Sequence, residues 1–261
     1  NIMKNLFYYY LVLILFSLIF AKGIENNQNT FTAMDGRENN SPTISVMNIN
    51  NIAHWIGKDG AYTTAGSPNG TQGDYPIFTG SNIYADGILW GAKVKNDGQG
   101  NDSDIRVGGS TYGHGLKAGR VITDANGNVL GSDDPNNNHV WRVRKDWSVG
   151  DLSADAANFF GYSSASDATE SEIYTIRGQY EYDWMNWPAA WGAPYEDVDG
   201  DGTYNPNVDI PGYPGADQTV WIVANDVPLI VDANGDSIGY ESTSVYLAAS
   251  EAIGIELQIT M

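Results

Sequence analysis

The sequence predicts a mainly β fold of antiparallel, sandwich-like sheets, with a helical insertion around residues 151–187 and an N-terminal signal peptide. Three observations favour this fold class. Short apolar runs alternate with turn residues over most of the chain, one stretch has apolar residues at helical spacing, and the first residues form an apolar leader. The chain has 261 residues, of which 42% are hydrophobic, and this is enough to build a sizeable core.

Residues 1–21 have the pattern of a secretory signal peptide. Met3 and Lys4 give a basic start, Leu6–Phe20 is an apolar run, and Ala21 is a small residue that precedes a polar segment. A membrane anchor is the competing interpretation, but the run is shorter than the roughly 20 residues that a spanning helix needs. We therefore expect cleavage after Ala21, a secreted or cell-surface protein, and no membrane span once the signal peptide is removed.

The composition of the chain after the leader changes at Thr43. Residues 22–42 are rich in Asn, Thr, Glu and Gln and predict a flexible lead-in. A β-rich domain is predicted over residues 43–150, because short apolar runs there are broken by Gly, Asn and Asp. Its strand candidates are Ile44–Ile49, Ile83–Lys95, Ile105–Tyr112, Leu116–Thr123 and Val140–Val143.

Two turn signals and the last residues add further strands. Asn126 and Asn234 are each followed by Gly and lie between apolar arms, a pattern typical of hairpin turns because both residue types tolerate positive φ. Residues 253–261 alternate apolar and polar with period two, which predicts a half-buried strand. We expect the native protein to continue beyond this strand, because domains rarely end inside one.

Residues 151–187 form the predicted helical segment. Ser153–Phe160 predicts a short helix, and a longer one follows it. Pro188 is expected to end the longer helix. The apolar residues that recur at spacings of three and four, and so predict one face of this helix, are Ile173, Ile176, Tyr180, Trp184 and Trp187.

The charge balance excludes several function classes. The chain has 13 Lys and Arg against 32 Asp and Glu, a formal net charge of −19, so we expect no binding to nucleic acid or to anionic membranes. Zero Cys excludes disulfides and thiolate metal sites. Residues 188–261 are predicted to form an acidic β-rich region, and the sequence has no Lys, Arg or His after Arg177. A bound cation is one way to neutralise this region.

The segment 197–205 reads Asp-Val-Asp-Gly-Asp-Gly-Thr-Tyr-Asn and predicts a calcium loop. Ca²⁺ takes six to eight hard oxygen ligands, and aspartates at alternate positions of a tight loop direct several carboxylates inward. The twelfth position is Val208 rather than the Glu of an EF-hand, so we expect Asp209 to substitute for it. A solvated acidic turn is the competing interpretation. The candidate ligands are Asp197, Asp199, Asp201, Thr203 through its carbonyl, Asn205 and Asp209.

Two other acidic loops match calcium spacing less well. Asp232, Asn234 and Asp236 alternate, but Ser237 stands where the glycine of the motif belongs, so a hairpin turn is the preferred interpretation. The acidic residues within 97–104 have still weaker spacing and predict a solvated loop.

Aromatic residues crowd into the stretch from Tyr180 to Tyr195 and form either a sugar-stacking platform or part of the core. Helical spacing favours the core, since apolar stripes usually face inward. The sequence lacks the motifs of serine hydrolases, zinc proteases and phosphate-binding loops, and its three histidines are far apart. Glu181 and Asp183 could form a glycosidase pair, but chance pairing on a helix surface is the preferred interpretation among so many acids. No catalytic residue is assigned.

Four stretches resemble large secreted proteins of Bacteroidota and related bacteria, which typically carry a C-terminal sorting domain for type IX secretion. These stretches are 187–206, Asp209–Asp226, Tyr84–Val94 and Val107–Tyr112. The calcium loop resembles those of dockerin, thrombospondin type 3 and integrin-propeller modules more closely than the helix–loop–helix of an EF-hand. The resemblance implies export and a longer polypeptide, and it implies no particular reaction.

Together these patterns favour an exported, calcium-stabilised N-terminal region of a larger secreted or cell-surface protein with a structural or adhesive role. The alternative is an extracellular protein that binds or degrades polysaccharide on its aromatic cluster. The expected partners are calcium and, at the outside of the cell, polysaccharide or other surface proteins.

Overall fold

The regular structure is mainly β, as the sequence predicts. The computed structural model describes residues 43–61, 72–95, 105–110, 115–241 and 252–261. Its α-helices are α1 (Ser153–Phe159) and α2 (Glu170–Met185). Its strands are β1 (Ile44–Met47), β2 (Ala53–Gly57), β3 (Gly73–Asp74), β4 (Ser81–Ile83), β5 (Ile88–Lys93), β6 (Ile105–Ser110), β7 (Lys117–Ala118), β8 (Val121–Thr123), β9 (Val129–Ser132), β10 (Trp141–Arg144), β11 (Tyr195–Glu196), β12 (Ile210–Pro211), β13 (Gln218–Asn225), β14 (Leu229–Val231), β15 (Ser237–Tyr240) and β16 (Glu256–Thr260).

Strand β13 is the centre of the fold, and all eight of its residues are buried. It pairs antiparallel with β10, β16 and β7. On one face, Val220 and Ile222 pack against Ile56 of β2. On the other face, Trp221 and Val223 pack against an aromatic cluster. Apolar layers on both faces explain why the middle of this strand, Val220–Ala224, is a continuous apolar run, and they give the sandwich-like arrangement.

Smaller sheets surround this central one. Strands β1 to β4 form a sheet in chain order, and β5 pairs with β6 as a two-stranded hairpin. The two Asn-Gly hairpins are confirmed as β8–β9 and β14–β15, with Gly127 at φ 84° and Gly235 at φ 87°. Both hairpins belong to one sheet of order β15-β14-β9-β8, in which β9 and β14 pair in parallel through Ser132 and Ile230.

The helical insertion lies between β10 and β11. Helix α2 ends at Met185, three residues before Pro188, as expected for a residue that cannot continue a helix. The predicted stripe is the buried face, although Trp187 lies beyond the end of the helix and joins the aromatic core instead. The buried residues that hold the two helices together are Leu152, Ala156, Phe159, Ile176 and Tyr180.

A buried carboxylate joins α2 to the edge of the central sheet. Asp183 accepts a hydrogen bond of 2.7 Å from the backbone N–H of Arg142 in β10, and it lies 2.9 Å from Nε2 of His139. The aspartate therefore satisfies a donor at a strand edge that would otherwise be unpaired. Asp183 is thus a buried structural group rather than the exposed helix-surface residue that the sequence predicts.

The last strand confirms the period-two prediction. Strand β16 pairs with β13, and Leu257 and Ile259 are half-buried whereas Gln258 and Thr260 are exposed.

The described parts of 43–150 and 188–261 share this central sheet, and the described residues belong to one compact unit. Neither described helix has the length and apolar character needed to cross a membrane. The predicted signal peptide, the lead-in and the acidic loop at 97–104 lie outside the described residues.

Candidate metal centre

A long loop at residues 197–209 joins the two short strands β11 and β12. The strands pair antiparallel, with Tyr195 opposite Pro211 and Glu196 opposite Ile210. This pairing closes the base of the loop and brings its two ends together, although twelve peptide bonds separate them along the chain. The arrangement is a loop held by a hairpin, without flanking helices.

Three carboxylates of this loop form a compact group. One oxygen from each of Asp197, Asp199 and Asp209 lies within 4.8 Å of the others. Asp197 and Asp199 are exposed, whereas Asp209 is buried. The expected substitution by Asp209 therefore agrees with the geometry, because this residue is brought back to the start of the loop. Such a group of hard oxygens is suited to hold a metal ion.

Hydrogen bonds to Asp197 shape the first half of the loop. Its two carboxylate oxygens accept the backbone N–H groups of Gly200 at 2.8 Å and Gly202 at 2.9 Å. Both glycines have positive φ, 75° and 77°, a conformation that residues with a Cβ adopt only at a cost. The glycines thus let the chain turn tightly around the aspartate.

Asp209 ties the two ends of the loop together. Its Oδ1 accepts the N–H of Val198 at 2.9 Å, and its Oδ2 accepts the N–H of Asn205 at 2.7 Å. Each carboxylate oxygen has two lone pairs, so these bonds leave acceptor capacity for an ion. The buried position is consistent because both oxygens are hydrogen-bonded.

The remaining predicted ligands lie outside the three-carboxylate group. Asp201 Oδ1 accepts the N–H of Thr203 at 2.7 Å, and Asn205 Oδ1 accepts the N–H of Asn207 at 3.1 Å. These bonds are local turns of the loop. Asp201, the carbonyl of Thr203 and Asn205 therefore stay predicted ligands.

Two reciprocal contacts fasten the loop to the end of α2. The hydroxyl of Tyr204 donates to the carbonyl of Trp184, and Nε1 of Trp184 donates to the carbonyl of Pro206 at 3.1 Å. The ring of Tyr204 also packs edge-on against Tyr195, with centroids 5.4 Å apart. Burial, and then the charge of Asp209, raises the pKa of Tyr204 well above its ordinary value, so its hydroxyl stays a donor. These two hydrogen bonds fix the position of the loop relative to the end of α2.

The aromatic cluster beside this loop belongs to the core. Trp187 is 4% exposed, and its Nε1 donates to the carbonyl of Pro194 at 2.8 Å. The rings of Trp187 and Trp191 each meet Trp141 edge-on, at interplanar angles of 83° and 85°. Trp187 is buried, and the partly buried Trp191 has the guanidinium carbon of Arg120 4.2 Å from the centre of its ring, so neither ring offers a free flat face to a sugar. This favours the core interpretation of the aromatic stretch over the sugar platform.

The second acidic series is a hairpin turn. Asp232 Oδ1 accepts the N–H groups of Asn234 at 2.8 Å and Asp236 at 3.0 Å, between strands β14 and β15. These hydrogen bonds lower the pKa of Asp232 below its ordinary value, with the Asp236 bond contributing most. No metal-type group forms there among the described residues.

Comparison of the chain with protein-family models, with curated proteins and with solved structures finds no match. The functional argument therefore rests on the chemistry of the loop itself.

Proposed function

We propose that the 197–209 loop binds Ca²⁺ and that the ion stabilises an exported domain with a structural or adhesive role. The observation that carries the proposal is the convergence of Asp197, Asp199 and Asp209 within 4.8 Å. Three like charges at this separation repel one another, and a divalent cation converts that repulsion into attraction.

The oxygen donors of the loop fit calcium better than its competitors. Cys is absent from the chain, and the described cluster contains no His, so soft and borderline metals find no preferred ligand. Ca²⁺ accepts six to eight oxygens in flexible geometry, which suits carboxylates combined with carbonyls and amide oxygens. Mg²⁺ demands a tighter octahedral shell and retains water. We therefore expect magnesium to substitute poorly.

Binding would stabilise the whole domain because the loop contacts α2 and the aromatic core. The Tyr204–Trp184 and Trp184–Pro206 hydrogen bonds link the ion site to the end of that helix. An ion that binds only the folded state adds about 2.7 kcal/mol at one hundred times its dissociation constant. Extracellular calcium is plentiful, so a dissociation constant on the order of 10⁻⁴ to 10⁻³ M suffices.

Export and a place within a larger secreted or cell-surface protein are supported by the leader sequence and by the resemblance to large Bacteroidota proteins. The structural role is favoured over polysaccharide binding because Trp187, at the centre of the aromatic stretch, is buried in the core. Calcium is thus proposed as the primary partner, with other surface proteins as the macromolecular partners of an adhesive domain.

Isothermal titration calorimetry of chelator-treated protein tests calcium binding directly. We expect one site per chain in the wild type and binding at least tenfold weaker in Asp199→Ala. Asp236→Ala is the matched control, because Asp236 is an exposed aspartate of the hairpin series outside the cluster, and it should bind as the wild type does. A wild type that takes up no calcium, or an Asp199→Ala variant with unchanged affinity, contradicts the proposal.

A further inference from the structure

Three polar side chains stand in one row across strands β7, β13 and β16. Lys117 of β7 lies opposite Asn225 of β13, and Asn225 lies opposite Glu256 of β16. Directly opposed residues point to the same face of a sheet, with Cβ atoms about 4.5–5.5 Å apart. Lys117 and Asn225 are both buried, at 4% and 0% exposure. A buried lysine beside a buried carboxamide is unusual, since lysine is rarely inside a protein.

The surroundings of the Lys117 amine make its protonation less favourable than it is in water. Its Nζ donates to Oγ of Ser132, a buried neutral group that in turn donates to the carbonyl of Leu229 at 3.2 Å. Burial lowers the pKa of Lys117 below its ordinary value. The carboxylates that oppose this effect, without cancelling it, are Glu241, Asp133, Asp134 and Asp226. Only the neutral amine is a nucleophile, and desolvation is one way in which proteins activate lysine.

The carboxamide of Asn225 is held at both of its polar atoms. Nδ2 donates to the carbonyl of Gly119 at 2.8 Å, and Oδ1 accepts the N–H of Val227 at 2.9 Å. The donor at Oδ1 stabilises the negative charge that forms on this oxygen when a nucleophile attacks Cγ. The fixed amide therefore presents an electrophilic carbon opposite the lysine strand.

Glu256 lies opposite Asn225 in the pairing of β16 with β13, and its carboxylate bonds the same short backbone segment as the amide nitrogen of Asn225. Its Oε2 accepts the N–H of Val121 at 2.7 Å, while Nδ2 of Asn225 bonds the carbonyl of Gly119. These two backbone groups are separated by a single residue, so the carboxylate and the amide nitrogen lie along the same short segment. A carboxyl group there can relay a proton between the attacking and leaving nitrogens.

We propose that Lys117 and Asn225 form an intramolecular isopeptide bond. Nζ attacks Cγ of Asn225 after rotation of the lysine stem away from Ser132, and the C–N bond forms. The Cγ–Nδ2 bond breaks, and the proton released from Nζ passes through Glu256 to Nδ2, which leaves as ammonia. The balance is amine plus carboxamide giving amide plus ammonia, and it needs no oxidant or other reactant. The inference is independent of calcium binding.

Such a bond would cross-link β7 to β13, the central strand, in a chain that contains no Cys for disulfides. A covalent link between distant parts of the chain restricts the unfolded state in the manner of a disulfide. The bond would fix β7 to β13 at the point where the central sheet contacts strand β9 of the sheet that contains the two Asn-Gly hairpins.

Mass spectrometry of the purified full chain under denaturing conditions tests the proposal. We expect the mass to be lower than the sequence mass, after any signal-peptide removal, by one ammonia molecule. Trypsin cannot cleave after an acylated lysine, so the digest should contain one branched peptide that joins the segments around Lys117 and Asn225. Lys117→Arg and Asn225→Ala should each restore the full mass, and Glu256→Gln should slow the loss of ammonia.

Lys145→Arg is the matched control, because Lys145 is exposed and should leave the mass loss unchanged. Asn126 and Asn234 precede glycines and can also lose ammonia by cyclising on their own backbone, but that product leaves Lys117 cleavable. Full sequence mass in the wild type, or complete tryptic cleavage after Lys117, would overturn the inference. The wild-type digest decides the question even where a variant fails to fold.

Discussion

Asp199 and Asp209 belong to the same acidic cluster but support different parts of the loop. Asp199 is exposed and accepts one long local hydrogen bond, 3.3 Å from the N–H of Asp201. Asp209 is buried and accepts two backbone N–H groups from opposite ends of the loop. Removal of Asp199 takes away mainly charge, whereas removal of Asp209 also leaves two backbone donors without partners.

We therefore expect Asp209→Ala to destabilise the protein with or without calcium, by about 1–2 kcal/mol in chelator, because it removes two hydrogen bonds that each contribute about 0.5–1.5 kcal/mol. The free energy of unfolding of Asp199→Ala should be close to that of the wild type in chelator and lower than it only in calcium. Urea unfolding of both variants, in each condition, measures the difference. Equal free energies of unfolding for the two variants in chelator would contradict the structural role of Asp209.

At this scale the sequence predicts which residues carry charge but not which ones are buried. The alternation of aspartates identifies Asp197 and Asp199, and Asp209 follows from the missing Glu at the twelfth position. The pairing of Asp183 with His139 is not predictable in the same way, because 44 positions separate them and only the packing of α2 on β10 joins them. The Lys117–Asn225 row likewise depends on strand pairing rather than on spacing.

Helix α2 has a well-defined start and a buried anchor, and these two features make different contributions. At its start, Thr169 Oγ1 accepts the N–H of Glu172 at 3.3 Å, and Glu172 Oε2 accepts the N–H of Thr169 at 2.8 Å. This reciprocal capping box satisfies two donors that the helix cannot. At its middle, Tyr180 donates to the buried Asp155 of α1.

Thr169→Ala should destabilise the protein by about 1 kcal/mol, because the cap of the helix is lost. Thr175→Ala is the matched control: Thr175 lies inside α2 and bonds the carbonyl of Ser171, and alanine is the better helix former there. Chemical denaturation of the two variants measures the contrast. A control that loses as much stability as Thr169→Ala would show that the cap has no specific effect.

The capping box also gives a pH dependence. Partial burial raises the pKa of Glu172, but hydrogen bonds from the Thr169 backbone, the Tyr162 hydroxyl and the Thr169 side chain outweigh it, so the pKa lies below its ordinary value. The ionised form is thus favoured in the folded state. Its contribution to stability is present above the unfolded-state pKa and is lost as the pH falls through the lowered folded-state value. Thr169→Ala should lose less stability than the wild type as the pH falls through this range. Unfolding curves recorded over a pH series measure the difference.

The carboxylates paired with Arg144 provide a test of buried charge. Asp155 is 1% exposed and accepts from Arg144 and from Tyr180, each at 2.5 Å, whereas Asp146 is half-exposed and pairs with the same arginine at 2.6 Å. We expect Asp155→Ala to cost about 3–5 kcal/mol because the guanidinium of Arg142, which is 4% exposed and lies 3.8 Å from Asp155, then loses this carboxylate partner. Asp146→Ala should cost less than about 1 kcal/mol, as surface pairs do. Comparable losses in urea unfolding would contradict this account.

The elements that the sequence predicts best are those with a clear period. The helical stripe of α2, its end before Pro188, the period-two strand β16 and the two Asn-Gly hairpins are all confirmed. The central strand β13 is the element that pattern analysis misses. Because layers cover both of its faces, its residues are uniformly apolar or buried, and no alternation distinguishes it from other apolar runs.

For the whole molecule, the described parts of the sequence on either side of the helical insertion build one central sheet. Strand β10 precedes the insertion and β13 follows it, and the two pair directly. The 197–209 loop joins β11 to β12 and contacts the end of α2. Ion binding at the loop should therefore raise the free energy of unfolding of the whole domain and not only the local stability of the loop.

The predicted export of the chain needs a test of its own. If the leader is a signal peptide, N-terminal sequencing of protein recovered from outside the expressing bacterium should begin near Lys22. The matched control is a variant in which charged residues interrupt the apolar run Leu6–Phe20, which should stay inside the cell. Recovery of the intact N-terminus on membrane-retained protein would contradict cleavage.

The calcium claim is tested most directly by thermal melting of the wild type and Asp199→Ala in calcium, in magnesium and in chelator. With calcium at one hundred times its dissociation constant, the wild type should gain about 2.7 kcal/mol. For a domain of this size the melting temperature should then rise by roughly 5–10 °C. Magnesium should produce little of this rise. Asp199→Ala should gain at most about half of it, because a tenfold higher dissociation constant leaves about 1.4 kcal/mol at the same calcium concentration. If the wild type melts at the same temperature in calcium and in chelator, the loop is a solvated acidic turn and the proposed function is wrong.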